Sequence, residues 1–379
     1  LARPLLAGEG TNFAVHPSTA PIAGRVNVEV MQFERRMVTL LILLAVLGAP
    51  ALGLRLLCVG HACDEPIRST ATIPFCSLDG ELRELIANGF REGRSPDVLA
   101  VPARPVGGGT YFDKKKPKPE WPSNEAVRST RVPIAFRTPT LGIRVGDAVE
   151  TRLPSGTGLD DIAPTIATLT GLDRPHPEVR SGRAVPGVEA EDDIRLIVQI
   201  VWKGVGSEDL EREDADAWPT ASALVDGFGT MDGRATSLPL DPSAVLATIG
   251  TGGVPAQHGI TGSLLRNDSG QVREAWSADA PVSVIAGLAD DMDELTSQRA
   301  LVGMVADQPA DRGLIGDNWY VDGDKDDFML ASRPFDIVER VQTLLKDGYG
   351  EDPTPDLLAV ALERPIPQMD DITFEIIQA

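Results

Sequence analysis

Five short apolar runs, each of strand length and free of strict alternation, set the fold class of this chain. They are Asp97–Val101 (DVLAV), Val132–Phe136 (VPIAF), Ile194–Trp202 (IRLIVQIVW), Ala300–Val305 (ALVGMV) and Leu357–Leu362 (LLAVAL). A strand with one face in water alternates apolar and polar residues. A run that is apolar at successive positions fits a strand covered on both faces, as in a parallel sheet with helices above and below it. Helical patterns fall between these runs, at Glu81–Phe90, Ile162–Leu169, Pro334–Lys346 and Asp370–Ala379. Alternation of this kind predicts an α/β domain with a mainly parallel sheet flanked by helices. Asp161 stands just before the helix that contains Pro164, an arrangement expected of a capped helix start. Segment 102–130 breaks the pattern with Gly107–Gly109, the basic run Lys114–Lys118 and several prolines. It reads as a long exposed loop, with its lysines solvated.

The first 65 residues read as a leader outside the fold. Arg35 and Arg36 precede Val38–Leu54, seventeen residues without a charge. A basic stretch followed by an apolar one is the pattern of a signal peptide or a single membrane anchor. The run is at the short end for a span, which needs about 20 residues. It therefore leaves cleavage and anchoring both open. Either outcome places the protein outside the cytoplasm, secreted or anchored, with membrane contact only through this segment. Residues 66–379 are expected to form one α/β domain.

Charge and the rarer residues narrow the chemistry. Asp and Glu number 56 against 35 Lys and Arg, for a net charge of −21. A surface that negative repels phosphate backbones, so no nucleic-acid partner is expected. The three cysteines, Cys58, Cys63 and Cys76, are too few for a disulfide framework and form no CxxC pair for zinc. Of four histidines, only His176 and His258 lie beyond the leader. The Asp322, Asp324, Asp326 spacing has the rhythm of a calcium loop, but Asp327 stands where that loop needs Gly and Arg333 where it needs Glu.

Two blocks carry a family resemblance. Arg131–Leu172 runs from VPIAF through a Gly-containing loop to DIAPT and a closing GL. Ile194–Gly262 runs from an apolar strand to Thr251, Gly252, Pro255, His258 and Gly259, a TG-x-x-P-x-x-HG pattern. The first resembles the closing segment, and the second the opening segment, of the alkaline phosphatase superfamily, including the type I phosphodiesterases/nucleotide pyrophosphatases. Here the closing block comes first. The resemblance therefore implies a circularly permuted alkaline-phosphatase-like domain, with 66–190 matching the family's C-terminal part and 191–379 its N-terminal part.

The resemblance also implies a reactive centre, which these residues depart from. The family holds two divalent metal ions on Asp and His, and attacks phosphorus or sulfur with an activated hydroxyl. Paired dications lower the nucleophile's pKa and neutralise charge on the attacking and leaving oxygens. At the position of the opening strand's ligand Asp stands Lys203, which has no lone pair to give while charged. Pro242 falls where the nucleophile is expected, so Ser243 can serve only with a one-residue shift. Pro102–Pro105 and Glu363–Pro367 replace stretches where the family has ligand Asp and His. No metal ligand can be assigned, and zinc or another divalent ion is expected only if the family chemistry is retained.

Two functions follow as expectations. One is a phosphoester hydrolase acting on a small phosphorylated molecule, with Ser243 as nucleophile and Lys203, Thr251 and His258 lining the cleft. The other is a non-catalytic relative that uses the cleft to bind a ligand or partner. His258 and the Gly250–Gly253 turn after the preceding helix also have plain structural readings, as a packed loop histidine and a helix C-cap.

Overall fold

The computed structural model describes residues 75–97, 130–137, 142–145, 148–150, 152–186, 188–189, 193–317, 319–320, 326–331 and 333–379. All of them belong to the unit Pro74–Ala379. The leader 1–65, the Lys114–Lys118 run, residues 98–101 of the first apolar run and residues 321–325 of the acidic turn lie outside the described residues.

In chain order the unit opens with helix α1 (Gly80–Gly89), whose start is fixed by Asp79 accepting the backbone N–H of Leu82 at 2.8 Å. Strands β1 (Arg131–Ala135), β2 (Gly142–Val145) and β3 (Ala148–Glu150) precede helix α2 (Ile162–Leu169) and strand β4 (Val188–Glu189). Strand β5 (Leu196–Trp202) leads through helices α3 (Ser207–Arg212) and α4 (Pro219–Phe228) to strand β6 (Gly229–Arg234). Helix α5 (Pro242–Thr251) begins with Pro242, whose missing N–H costs nothing in a first turn. Asp241 caps it by accepting from Ser243 N, and Gly252 ends it at φ 77° in the left-handed region. Helix α6 (Pro255–His258) and the hairpin of β7 (Leu264–Arg266) and β8 (Val272–Glu274) follow. Helix α7 (Leu288–Thr296), strand β9 (Val302–Ala306), a 3-10 turn (Pro309–Leu314), strand β10 (Asp327–Leu330), helix α8 (Pro334–Lys346), strand β11 (Asp356–Leu362) and helix α9 (Ile366–Gln378) complete the chain.

The main sheet has four parallel strands in the order β10-β9-β11-β5. Strand β11 is central, and all seven of its residues are buried. Its side chains alternate between two cores, which is why its sequence is apolar from Leu357 to Leu362. Leu357, Ala359 and Ala361 join Val302, Met304 and Ala306 under α2, α5 and α7. Leu358, Val360 and Leu362 join Val305 under α8 and α9. The expected class, an α/β domain with a parallel sheet flanked by helices, is the class observed.

The Val132–Phe136 run behaves differently from the other apolar runs. As β1 it pairs antiparallel with β6, in a separate two-stranded sheet. Only Ile134 of this strand is buried. Its first residue, Arg131, reaches Asp232 at 2.8 Å and Glu211 at 3.1 Å on the exposed side. Periodicity alone does not separate a short run covered on both faces from one in a two-stranded antiparallel ribbon. Among the described residues, no helix is long and apolar enough to cross a membrane.

Candidate functional site

A parallel sheet gathers the ends of its strands, and ligands of open α/β folds bind outside the carboxyl ends. Here Lys203 follows β5, Asp307 follows β9 and Glu363 follows β11. Gly204, at φ 73°, turns the chain sharply behind Lys203. The 3-10 turn after β9 adds Asp311 from above. Lys203 Nζ lies 2.7 Å from Asp311 Oδ2 and 3.3 Å from Glu363 Oε2. Asp311 also caps its own turn, accepting from Gln308 N at 3.2 Å. Asp307 accepts from Glu363 N at 2.9 Å and is closely paired with Arg364. Gln308 Nε2 donates to Glu363 Oε2 at 3.3 Å.

Lys203 and Asp311 are both buried, whereas Glu363 keeps about a third of its side chain in water, 37%. Burial pushes the Asp311 carboxyl upward, and the Lys203 ammonium pulls it part of the way back. Asp307 is likewise raised by burial and held down by Arg364 and Lys203. An ammonium therefore sits among the carboxylates at the carboxyl end of the sheet. A dication placed in the same spot would meet it head-on. Among the described residues, no group of three or more His, Cys, Asp or Glu side chains is arranged to hold a metal ion. The residues present do not fit the family's pair of metal ions.

The four residues singled out in the sequence fall into two groups at opposite ends of α5. Ser243 is at its start, beside the Lys203 cluster. The same 3-10 turn links them, since Ser243 Oγ donates to the Ala310 carbonyl at 2.8 Å and the next residue, Asp311, holds Lys203. The hydroxyl is buried at 1% exposure. Thr251 and His258 are at the other end, separated from Ser243 by about 12 Å of helix rise. Thr251 Oγ1 donates to Ala247 O at 2.6 Å. Its carbonyl, one of the last of α5, receives Arg174 Nη2 and Arg180 Nε, each at 3.1 Å. Guanidiniums at a helix C-terminus satisfy its free carbonyls and oppose its dipole.

His258 is wholly buried. Its Nδ1 accepts the Ile260 backbone N–H at 3.1 Å, which places the ring proton on Nε2, and Nε2 donates to Thr248 Oγ1 at 3.1 Å. Burial, with Arg94 and Arg91 nearby, lowers its pKa to about 3. The histidine thus stays neutral when folded, while the unfolded chain takes up a proton near pH 6.5. Acid therefore favours the unfolded state. The stability advantage of the wild type over His258→Asn should shrink by roughly 1.4 kcal/mol for each pH unit below 6.5. Urea titrations of both proteins between pH 7.5 and 5 test this. A difference that stays constant with pH would contradict the buried neutral histidine. Other titrating groups cancel in the comparison.

A second ionic cluster went unread in the sequence. Asp291, fully buried on α7, accepts Arg174 Nε at 2.6 Å and Arg180 Nη2 at 3.1 Å on one oxygen. Tyr320 donates to the other at 2.8 Å. Both arginines also bond the Ala286 carbonyl. The cluster ties the loop after α2 to the end of α5 and the start of α7. Arg174 and Arg180 flank His176 in the sequence, but nothing local points to Asp291, more than a hundred residues away. The carboxyl-end residues Asp307 and Glu363 did carry a signal, since each directly follows an apolar strand run. Asp311 carried none.

No protein-family model, curated protein or solved structure matches this chain. The class its own fold defines is an α/β domain with a four-stranded parallel sheet and a charged cluster at the strand ends.

Proposed function

We infer that this chain is a non-catalytic relative of the alkaline phosphatase superfamily that binds a ligand or partner at the carboxyl end of its sheet. The observation that carries this reading is the Lys203 ammonium, 2.7 Å from Asp311 and 3.3 Å from Glu363, in the place where metal-dependent chemistry needs cations held by free carboxylates. The two sequence blocks and the parallel sheet support the family. The buried Ser243 hydroxyl, donating to a backbone carbonyl, supports a structural role for that residue. Three carboxylates, Asp307, Asp311 and Glu363, face two cations, Lys203 and Arg364. That balance favours a neutral or cationic group at the rim over a free phosphate. The leader pattern in the sequence supports binding outside the cytoplasm.

Metal analysis of the purified full chain, paired with p-nitrophenyl phosphate and bis-p-nitrophenyl phosphate assays, tests the reading. Protein incubated with zinc or manganese and then desalted should retain no stoichiometric metal and turn over neither ester. Two equivalents of bound metal together with turnover would sink it and restore the hydrolase.

A further inference from the structure

Beside strand β5 the described residues line a cavity of about 1040 Å³. All seven residues of β5 contribute to its wall, so it follows the strand for about 23 Å. The other walls include Ile134 on β1, Ile166 on α2, Val225 on α4, Ile249 on α5 and Ile376 on α9. Packed interiors leave few voids larger than a water molecule, because a lining atom without a neighbour forfeits its dispersion contacts. The penalty grows with volume, and an unfilled apolar space this large would cost more than the net stability of a whole domain. Water fills such a space poorly, since each ordered water needs polar partners that these side chains lack. The volume is at the upper end of the range for small-molecule sites, roughly 300–1,000 Å³.

The charge on the walls narrows what fits. The chain carries 56 Asp and Glu against 35 Lys and Arg. Even so, among the described residues that line the cavity no side chain is acidic, and two are basic, Lys203 and Arg137. The Lys203 ammonium is already held, 2.7 Å from Asp311 and 3.3 Å from Glu363, so Lys203 offers the cavity its aliphatic stem. Arg137 is different. It is exposed, and its guanidinium makes no hydrogen bond or ion pair with a described residue. A residue that both lines the cavity and meets water marks its mouth. Arg137 follows the end of β1, whose first residue, Arg131, bonds Glu211 on α3, the helix just after Lys203. Lys203 and Arg137 therefore stand toward opposite ends of β1, one charge satisfied within the fold and the other open to a ligand.

A molecule that matches this space is long, apolar and anionic at one end. We propose that the cavity beside β5 binds a long-chain carboxylate, with its chain along the strand and its carboxylate on the Arg137 guanidinium. Arginine presents paired N–H donors that match the two oxygens of a carboxylate. Each methylene that enters leaves water and covers apolar wall at the same time, so affinity grows with chain length. A free phosphate has no apolar part to fill the space, and a plain hydrocarbon leaves Arg137 unused. The head group is placed away from the rim of Asp307, Asp311 and Glu363, so this site does not rest on the reading of that rim as a binding surface.

Titration of the full chain with cis-parinaric acid, a fluorescent long-chain carboxylate, tests this after bound lipid has been stripped on a hydrophobic resin. The probe should fill one saturable site per chain and quench tryptophan emission, since Trp202 lines the cavity. Oleate should displace it at least about fivefold more effectively than oleyl alcohol, which has the same chain without the charge. Arg137→Gln should weaken oleate by roughly fivefold and leave oleyl alcohol unchanged. The Arg137 side chain is exposed, so this variant should fold as the wild type does. Val225→Trp, which fills the cavity from α4, should abolish binding of both compounds, with circular dichroism to show that it is folded. The Arg137→Gln comparison decides the matter alone should Val225→Trp fail to fold. No saturable binding by the wild type would overturn the proposal. So would oleate and oleyl alcohol that compete equally and ignore Arg137→Gln, or full binding retained by folded Val225→Trp.

Discussion

Asp291→Ala is expected to destabilise the folded unit by about 3–5 kcal/mol, the usual cost of removing one partner from a buried ionic cluster. The size follows from what stays behind. Arg174 and Arg180, both buried, lose the carboxylate that each of them bonds. Burial already lowers the Arg174 pKa, with Asp291 opposing that shift. Their remaining bonds run to backbone carbonyls, those of Thr251 and Ala286 and, for Arg180, also of Pro175 and His176, which cannot balance two positive charges. Asp291→Asn keeps an acceptor for Arg174 and Arg180 but no charge, so it should cost less than the alanine variant. The loss should change little between low and moderate salt, because buried pairs are poorly screened. Urea unfolding of the full chain measures both variants. A loss below about 1 kcal/mol for Asp291→Ala would show that the cluster does not hold the α2 loop, α5 and α7 together.

Lys203→Met is expected to cost a similar amount at pH 8, about 3–5 kcal/mol, and less at pH 5. Methionine fills the space of the lysine stem but brings no charge, so Asp311 keeps a buried carboxylate without its counter-ion. Burial already raises the Asp311 pKa, and Lys203 restrains that rise. Without the lysine, the folded-state pKa moves further above the unfolded value. A carboxyl raised in this way holds its proton more tightly in the folded state. Its stabilising contribution is present at low pH and is lost as pH rises through the folded pKa. The penalty of the substitution should therefore grow from pH 5 to pH 8. Chemical denaturation across that range checks the slope, and Lys203→Met/Asp311→Leu should recover part of the loss by removing the stranded charge. A pH-independent penalty would mean that Asp311 does not depend on Lys203.

The elements that were legible in the sequence are those whose signal is local. The Pro334–Lys346 helix was read at its observed bounds, because a Pro at its first position and an apolar stripe along it mark the start and the buried face. The Ile162–Leu169 helix was also read at its observed bounds, although Asp161, expected to cap it, makes no cap bond and instead accepts from Gly158 N and Arg183 N. The runs that became β5, β9 and β11 were visible because strands between two layers of helices need apolar side chains at successive positions. Helix α9 starts at Ile366, four residues before the expected Asp370, since Pro367, which reads as a loop residue in the sequence, fits a first turn. The antiparallel pairing of β1 with the distant β6 had no local sign, because Gly229–Arg234 (GTMDGR) has no strand pattern of its own.

The same divide runs through the candidate site. Lys203 stood out because the family resemblance puts a ligand Asp at its position, at the end of an apolar run. Asp311, which holds it, lies 108 positions further along the chain in a turn without any motif. What the chain's residues determined alone was the class of fold, the runs that became β1, β5, β9 and β11, and four of the helices, since these rest on side-chain periodicity and on caps within a few residues. Strand order, the antiparallel departure of β1, the seating of the Lys203 ammonium among carboxylates and the burial of Asp291 between two arginines were decided only by tertiary structure. Each of these depends on which distant segments meet, and on whether a charge ends up in water or in a place where only a partner from elsewhere in the chain can balance it.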